Sequence, residues 1–584
     1  MLKAKQPLRV LVTATHRPLP SSVDMRMQCG RFYVAVTSSF SLSVSDDDTR
    51  WQVIGFSPML DSVRPVFVVS LDKRKHILSL QRATDFGLPF FFHISAVGDF
   101  IASTHLHLLR QVGVPLTEDP AALPEFFLYR CVMPPQTLFK DVQRIHHGGR
   151  LNISLSGERS TVVRHAPASF LQGDGPSRST APFDRQVLTL VDHLKSSITS
   201  VNGGADSTAS LMSGGIDSAM TAVLAKAQLG VQQTHSTAYP FELPSLDMER
   251  AYADSAALAL GFQHKHYVGS CRGYRRALIM ATALAEEPVH HLQSACMHML
   301  FTEGMDSGIR SIIQGLGAGG VFGNFRNHLY LLDKIPCRVL ALEPFRSGVG
   351  LFSRMTGRGS YLHEKLSAMA NHAPIDSVQN PIWDWHRYGS REWVDRRFGD
   401  TVASVVQRQY AEIERTNPTS IYDYWARYSL LGDEDATLAI NSKIAAGSGI
   451  WLHSPLYSAE LLEAVLSMSW EEKMRHPENR LRKAMAAAVG VPAFIWNRKK
   501  TGFGIKRRDW AMEGGVFAPF DDLLKGVLDI DEIKAARLPQ PAMAMTFWCL
   551  LTYGLWKRLV IRQDPVEMLI SELDEAELRF NMHD

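Results

Sequence analysis

The sequence is poor in cysteine and has no excess of charge of either sign. Its six cysteines are scattered along 584 residues, and no two of them form a C-x-x-C pair. This distribution excludes a disulfide framework or a thiolate zinc site and indicates a reducing compartment. The formal net charge is only +3, so the composition does not predict binding to nucleic acid.

Long apolar runs are also missing. The first seven residues lack the apolar core of a signal peptide. The run Pro541–Trp556 is interrupted by Thr546, Thr552 and Gly554, and it falls short of the roughly 20 apolar residues that span a membrane. We therefore predict a core helix there, and a cytoplasmic protein that does not contact a membrane.

The length, in contrast, is sufficient for more than one core. A chain of 584 residues with 45% hydrophobic and 21% charged residues is typical of a globular protein with two or three domains. Short runs rich in β-branched and aromatic residues predict strands over much of residues 8–155, with helices near 104–112 and 120–129. A stretch rich in Gly, Ser and Pro predicts a linker. The predicted parts are an N-terminal domain of residues 1–170, a linker of 171–182 and a C-terminal domain of 183–584.

Strand and helix patterns alternate after the linker. A helix at 183–198, a strand at 207–212 and a helix at 219–228 are followed by further strands at 233–239 and 264–268. This βαβ alternation predicts a parallel sheet with helices on both faces, whose ligand lies at the carboxyl ends of the strands. Helix patterns dominate the rest of the chain. We expect a helical lobe packed by tryptophans, namely Trp383, Trp385, Trp393, Trp425, Trp451 and Trp470.

The loop between the first strand and helix of this alternation, Ser213-Gly214-Gly215-Ile216-Asp217-Ser218, predicts a phosphate site. Its glycines allow close approach of a ligand, and the free N–H groups and dipole of the new helix favour an anion. Ser213 and Ser218 add hydroxyl donors. The carboxylate of Asp217 would repel phosphate unless a cation lies between them. No Gly-Lys-Ser/Thr follows, so this is not a Walker A loop; the simpler alternative is a Ser/Gly turn.

Several motifs, and their order along the chain, resemble those of the asparagine synthetase family. The S-G-G-x-D-S loop resembles the pyrophosphate loop of enzymes that cleave ATP between its α and β phosphates. The run Arg498-Lys499-Lys500-Thr501-Gly502-Phe503-Gly504 is similarly specific. Weaker matches are the stretch Gly98 to Gly149, Glu286-Glu287-Pro288, Gly315-Leu316-Gly317 and Leu481-Arg482-Lys483. Within the family, the chain looks most like the lasso peptide macrolactam synthetases.

The resemblance implies an α/β fold. A glutaminase-like αββα domain without a catalytic cysteine would precede a parallel-sheet ATP pyrophosphatase domain with a helical lobe. It also implies ATP and Mg²⁺ as cofactors, with Asp217 as metal ligand and Lys500 contacting the phosphate and the developing charge. The alternative for Lys500 is a solvated residue in a basic run. The implied ATP-binding residues are Ser213, Gly214, Gly215, Asp217, Ser218, Thr237 and Gly315.

Two departures from the family pattern limit the predicted activity. Leu2 stands where a glutamine-using synthetase has its cysteine nucleophile, and Cys29 would replace it only after cleavage; a buried free thiol is the alternative. The amine must then belong to the substrate, which favours ring closure. Gly319 replaces an aspartate that the resemblance makes a magnesium ligand. The sequence leaves three possibilities open. Asp306 or Asp333 substitutes for the aspartate, phosphates and water complete the metal shell, or the activity is lost.

The Gly-rich segment 315–320 also allows a different site. It fits G-x-G-x-x-G after the apolar run Ile309–Ile313, and Asp333 lies near the spacing of a ribose-binding acid. A dinucleotide site is therefore a rival hypothesis. A β-lactam synthetase is not expected, because Leu316 and Trp451 stand where those enzymes have a Tyr/Glu pair. Candidates for proton transfer, each with a packed or surface histidine as the alternative, are His146-His147, His264/His266 and His290-His291.

The leading functional prediction is ATP-dependent macrolactam formation. A side-chain carboxylate of Asp or Glu in a linear core peptide is adenylated, and the N-terminal amine of the peptide then displaces AMP. The resemblance implies a leader peptidase and a leader-recognition protein as partners. An ammonia-dependent asparagine synthetase-like amidotransferase and a catalytically silent scaffold of a peptide-maturation complex are the alternatives.

Overall fold

The computed structural model of the chain describes most of its residues. The described ranges are 9–14, 25–29, 32–36, 41–56, 65–156, 159–166, 168–171, 179–201, 204–240, 244–317, 319–323, 343–355, 388–399, 401–474, 480–498, 510–512, 514–537 and 541–581.

The described strands form two antiparallel sheets and one parallel sheet. They are β1 (Val10–Ala14), β2 (Met25–Cys29), β3 (Phe32–Val36), β4 (Ser41–Asp46), β5 (Arg50–Phe56), β6 (Phe67–Asp72), β7 (Ile77–Arg82), β8 (Phe91–Ile94), β9 (Phe100–Ser103), β10 (Gln143–Arg144), β11 (Arg150–Ser156), β12 (Arg159–Ala166), β13 (Thr208–Leu211), β14 (Gln233–Thr237), β15 (Gln263–Tyr267), β16 (Ser311–Ile313) and β17 (Trp451–His453).

Helices are concentrated after residue 180. They are α1 (Leu106–Gln111), α2 (Leu123–Tyr129), α3 (Phe183–Thr199), α4 (Ile216–Leu229), α5 (Pro244–Ala259), α6 (Cys271–Ala285), α7 (Gln293–Met299), α8 (Glu343–Met355), α9 (Arg391–Phe398), α10 (Val402–Glu414), α11 (Ile421–Leu431), α12 (Asp433–Gly447), α13 (Ala459–Leu466), α14 (Trp470–Met474), α15 (Arg480–Ala488), α16 (Ala493–Asn497), α17 (Phe520–Leu524), α18 (Ile530–Ala536), α19 (Pro541–Trp556) and α20 (Val566–Asn581).

The two antiparallel sheets pack face to face. The first has the order β10-β8-β9-β1-β3-β2 and the second the order β12-β11-β7-β6-β5-β4. Alternate residues of each strand point into the shared core, as in β6, where Phe67, Val69 and Leu71 are buried and the residues between them are half-buried. The other face of the first sheet packs on α1 and α2.

Three layers are therefore seen among the described residues, in the order helix, sheet, sheet, and the fourth layer of the expected αββα arrangement stays a prediction. On its side away from the first sheet, the second sheet lines a groove of about 790 Å³ with polar and charged residues. The groove lining comprises Thr49, Arg50, Gln52, Val68, Ser70, Asp72, Arg74, Lys75, Ile77, Ser79, Gln81 and Arg150. No helix in the described part of residues 9–171 covers this face.

The parallel sheet has the order β15-β14-β13-β16-β17, with β13 at its centre. All of its pairings are parallel, as the βαβ alternation predicted. The prediction for Trp451 was wrong, because this residue lies in edge strand β17 rather than in a helical lobe. Its ring stacks on Phe86 of the N-terminal region, with the ring centroids 5.7 Å apart.

The apolar run near the C-terminus is a core helix, as predicted. Helix α19 buries Trp548 and Trp556 almost completely. The ring of Trp556 packs against Phe139 at 5.3 Å between centroids, so the helix joins the two halves of the molecule. No helix among the described residues is long and apolar enough to cross a membrane.

Charged side chains also lie at the contact between the N-terminal region and the helices of the C-terminal region. We call this contact the seam and define it by Glu286, Lys443, Arg82, Asp435 and Arg144. The carboxylate of Glu286 accepts hydrogen bonds from Lys443 and from the backbone of α1. Arg82 lies 3.1 Å from Asp435, and both side chains are fully buried. The seam thus holds the two halves together through paired charges.

Candidate nucleotide site

The candidate site lies where the strand order of the parallel sheet reverses. From β13 the chain continues outward to β14 and β15, and it then returns to the other side of β13 to form β16. Ligands of open α/β sheets bind at such a switch point, outside the carboxyl ends of the strands. The loop after β13 contains Ser213, and the loop after β16 contains Gly315. The structure therefore brings these two predicted segments together.

The loop after β13 is closed by a hydroxyl group of the helix that follows it. Ser218 Oγ donates to the carbonyl of Gly215 at 3.0 Å and accepts from the backbone N–H of Ser213 at 3.2 Å. Helix α4 starts at Ile216, three residues earlier than predicted, with Gly215 as its N-cap and no side-chain cap. The first N–H groups of α4 therefore receive no side-chain capping bond, and an anion is their natural partner.

Gly315 packs directly on the start of α4. A Cβ atom at this position would lie 2.4 Å from the backbone nitrogen of Ser218 and 2.6 Å from the carbonyl carbon of Asp217. Only glycine allows this contact, because the neighbouring atoms are backbone and no rotamer change relieves the overlap. The prediction placed Gly315 opposite the Ser213 loop, and the structure shows the two loops in contact.

Helix α5 closes the other side of the loop. Gly214 has a φ of +69°, and a Cβ there would lie 2.6 Å from the backbone carbonyl of Tyr252. The guanidinium of Arg498 lies 4.4 Å from the centroid of the Tyr252 ring and donates to Glu249 at 2.9 Å. Tyr252 therefore lies between the Ser213 loop and Arg498, the first residue of the basic run. Lys500 lies outside the described residues, and its predicted role stays a prediction.

Thr237 ends β14, next to the central strand. Its backbone pairs with Tyr267 of β15, and its side chain is half-buried. This position at the carboxyl end of a strand agrees with the predicted contact to the nucleotide base, which stays a prediction.

Asp217 has an ion-pair partner that sequence reasoning missed. Arg482 of α15 donates from Nη1 to Oδ2 of Asp217 at 2.8 Å, and the exposed fractions of the two side chains are 5% and 21%. The other carboxylate oxygen, Oδ1, is buried and accepts no hydrogen bond from the described residues. The only sequence signal for Arg482 was its place in the weak motif Leu481-Arg482-Lys483.

The donor set fits magnesium that arrives with a nucleotide. Mg²⁺ commonly uses one or two protein carboxylates, with phosphates and water completing its shell. The unpartnered Oδ1 of Asp217 would supply one such carboxylate oxygen. Asp306 does not supply the second one: it is exposed, pairs with Lys265 of edge strand β15 at 2.6 Å, and so lies two strands from β13. Asp333 is outside the described residues.

A different carboxylate faces the Gly-rich loop. Glu434, in the first turn of α12, accepts hydrogen bonds from Ser429 at 2.9 Å and from Tyr457 at 3.0 Å. Burial raises the pKa of Glu434 above its ordinary value, although these two donors and the backbone of Gly319 partly oppose the rise. Sequence reasoning missed Glu434, since nothing in the local pattern connects it with Gly319.

The dinucleotide hypothesis is not supported by the local backbone. Such a fingerprint needs a helix that opens within the Gly-rich segment, so that its N-terminus binds the pyrophosphate. Residues 319–323 instead form turns. Gly317 packs on the side chain of Leu456, and a Cβ there would lie 2.3 Å from it. Gly315 and Gly317 therefore serve close packing.

The candidate histidines are packed side chains. Burial lowers the pKa of His147 to about 3 and that of His290 to about 4. His264 bonds Thr234 and Ser236, and burial lowers its pKa as well. His146 is buried 3.5 Å from Glu412. The packed alternative therefore describes these side chains best.

His290, His291 and Asp433 form a group of potential metal ligands. However, Nε2 of His290 already bonds the hydroxyl of Thr437 at 2.8 Å. Arg130 also lies 3.0 Å from Asp433, and its charge opposes a cation there.

The described cysteines are all free thiols. Cys29 ends β2 and pairs with Phe32 of β3. Its thiol is free, as the alternative held, but the residue is half-buried rather than buried. Burial raises the pKa of the thiols of Cys29, Cys131, Cys271 and Cys296. A raised pKa suppresses the thiolate that nucleophilic catalysis requires.

A comparison with protein families agrees with this geometry. The family model described as asparagine synthase matches residues 194–539 of the 584. The matched region starts within α3 and contains the parallel sheet, both loops at its switch point, Asp217 and Arg482. No curated protein matches the chain.

Proposed function

Because the chain belongs to the asparagine synthase family, we propose that it closes a macrolactam ring in a lasso peptide. Members of this family form amide bonds with consumption of ATP. Membership therefore implies an ATP-dependent, amide-forming activity for this chain. The substrate is the part that we propose. It is a linear core peptide with a free N-terminal amine and an Asp or Glu side chain further along.

The contact between the two loops at the switch point is the observation on which the ATP-dependent step rests. Gly315 lies on the backbone of Ser218, at a helix start without a side-chain cap. The arrangement offers backbone N–H groups to a pyrophosphate in a fixed position. Preorganised donors of this kind stabilise a leaving group without reorganising during the reaction.

The chemistry has two steps. A carboxylate oxygen of the peptide attacks the α-phosphorus of ATP, and the bond to the bridging oxygen breaks to release pyrophosphate. The neutral N-terminal amine then attacks the acyl carbon, AMP leaves with the original carboxylate oxygen, and the amine proton passes to solvent. The peptide loses one water overall. Magnesium held at Asp217 would neutralise charge on the phosphates.

The cysteines favour an amine that the substrate itself carries. Cys29 is part of a sheet, and burial raises the pKa of its thiol. A raised pKa disfavours the thiolate form that would release ammonia from glutamine. The choice of a lasso peptide over another amine-bearing substrate rests on the sequence resemblance. We also propose a leader peptidase and a leader-recognition protein as partners.

The test is incubation of the full chain with ATP, Mg²⁺ and a candidate core peptide, followed by mass spectrometry and AMP measurement. We expect one AMP per cyclised peptide and the loss of one water from the peptide. A matched peptide whose acceptor Asp or Glu is replaced by Asn or Gln should give neither product.

Two results would contradict the proposal. Formation of AMP with aspartate and ammonia, but with no peptide, would select an asparagine synthetase-like amidotransferase. Peptide binding without AMP formation would select a silent scaffold, which the replacement of the family aspartate by Gly319 favours.

A further inference from the structure

Arg482 is a buried cation at the place where the proposed site must bind the charge of a pyrophosphate. Its guanidinium is 5% exposed and lies 2.8 Å from Asp217, the second residue of α4. We propose that Arg482 is itself a pyrophosphate-binding residue. This inference rests on the proposed nucleotide site.

The charges around the loop require such a group. A carboxylate in the first turn of α4 opposes the approach of phosphate, although the helix dipole attracts it. The Arg482 ion pair removes this repulsion, because the pair is neutral as a whole. With Gly319 in place of an acid, one described carboxylate at the switch point, Asp217, has an unpartnered oxygen for a metal.

The chemistry of the side chain suits this role. A guanidinium has five N–H donors in a rigid fork and stays charged throughout the physiological pH range. It binds a carboxylate and a phosphate at the same time, which a lysine does with less geometric definition. Helix α15, which carries Arg482, packs on both α3 and α4, so the group is held in place before the ligand arrives.

The experiment measures binding of inorganic pyrophosphate and of adenosine to the full chain by calorimetry, without magnesium. We expect Arg482→Met to weaken pyrophosphate binding by at least about tenfold and to leave adenosine binding unchanged, since a charge-assisted contact to the phosphates is lost. Arg482→Lys should retain part of the affinity. Lys483→Met removes a charge from the next position of α15 and should bind pyrophosphate like the wild type.

A purely structural role for Arg482 predicts a different result. The melting temperature of Arg482→Met would fall, while its affinity for pyrophosphate would equal that of the wild type. If that variant does not fold, Asp217→Asn and the double variant Asp217→Asn/Arg482→Met replace it. Weaker pyrophosphate binding in the double variant than in Asp217→Asn supports the inference, and equal binding overturns it.

Failure of the proposed function has its own signature. If the wild type binds neither adenosine nor ATP, the nucleotide site itself is overturned. If the wild type binds both and the variants bind pyrophosphate as tightly as it does, only the role of Arg482 is overturned.

Discussion

Two carboxylates of this protein have opposite surroundings. Glu286, in the seam, accepts hydrogen bonds from Lys443, from the side chain of His107 and from the backbone N–H groups of Leu106 and His107. Asp217, in the candidate site, accepts one from Arg482 and has a buried oxygen without a partner among the described residues. A carboxylate whose oxygens all accept hydrogen bonds stabilises the fold. A carboxylate at a switch point with an oxygen that accepts none is suited to a ligand.

The electrostatics of Glu286 agree with a structural role. Burial by itself would raise its pKa, but Lys443 and His107 outweigh burial and hold the pKa well below its usual range. Its carboxylate also serves α1 as a cap, because the N-cap residue His105 makes no side-chain capping bond. One side chain thus satisfies a helix end in the N-terminal region and a buried lysine of α12.

The largest expected effect is on stability, from Glu286→Gln. This change leaves Lys443 buried without its counter-ion, and breaking a buried pair in this way costs about 3–5 kcal/mol. A large fall in melting temperature by calorimetry, with unchanged adenosine affinity in the folded protein, is the expected result. Loss of adenosine binding without loss of stability would remove the distinction between the two regions.

The next effect concerns the site alone. We expect Gly315→Ala to displace the start of α4, because the added Cβ meets the backbone of Ser218 at 2.4 Å. A displacement near 1 Å costs about 100-fold in rate, so peptide-dependent AMP formation should fall by about that factor. Gly308→Ala is the matched control at the other end of the same strand, where nothing lies within 4 Å of the added atom. Equal activity of the two variants would contradict the assignment.

A smaller effect follows from two buried histidines outside the seam itself, His147 and His290. The pKa values of His147, about 3, and of His290, about 4, lie below the value near 6.5 of an unfolded chain. Above pH 6.5 neither state is protonated, so these groups do not change stability. As the pH falls below 6.5, only the unfolded state gains protons, and stability falls by about 1.4 kcal/mol per pH unit for each histidine.

This pH dependence is measurable as a decrease in melting temperature between pH 7 and pH 5. His290→Gln should reduce the slope by the contribution of one proton, since glutamine does not titrate. An unchanged slope in this variant would assign the acid sensitivity to other groups. Glu286 adds its own contribution only below about pH 4.5, because its folded pKa is lowered and its stabilisation is lost as it protonates.

The smallest effect is expected from Asp306→Asn. The pair with Lys265 is half exposed on both sides, and such surface pairs contribute little. Neither the melting temperature nor AMP formation should change measurably. A loss of activity that extra magnesium restores would show that Asp306 is the missing metal ligand after all, despite its place at the edge of the sheet.

Local patterns in the sequence determined the framework of the candidate site. The strand, the Ser213 loop and helix α4 are neighbours along the chain, and β-strand composition, glycine conformation and helix periodicity all act over a few residues. The alternation after the linker likewise predicted the parallel sheet. Strands β2, β4, β7, β10 and β12 were not predicted. Strand β4 (Ser41–Asp46), for example, alternates small polar residues and lacks an apolar run.

Tertiary structure alone decided which distant side chains meet. Arg482 and Asp217 are 265 residues apart, and Leu106 and Glu286 are 180 apart. Trp451 likewise reads as part of a helical region until β17 pairs with β16. Such contacts depend on how whole helices and sheets pack, and no periodicity within a short window records that packing. The loop could be found from its sequence, but its counter-ion could be found only in the fold.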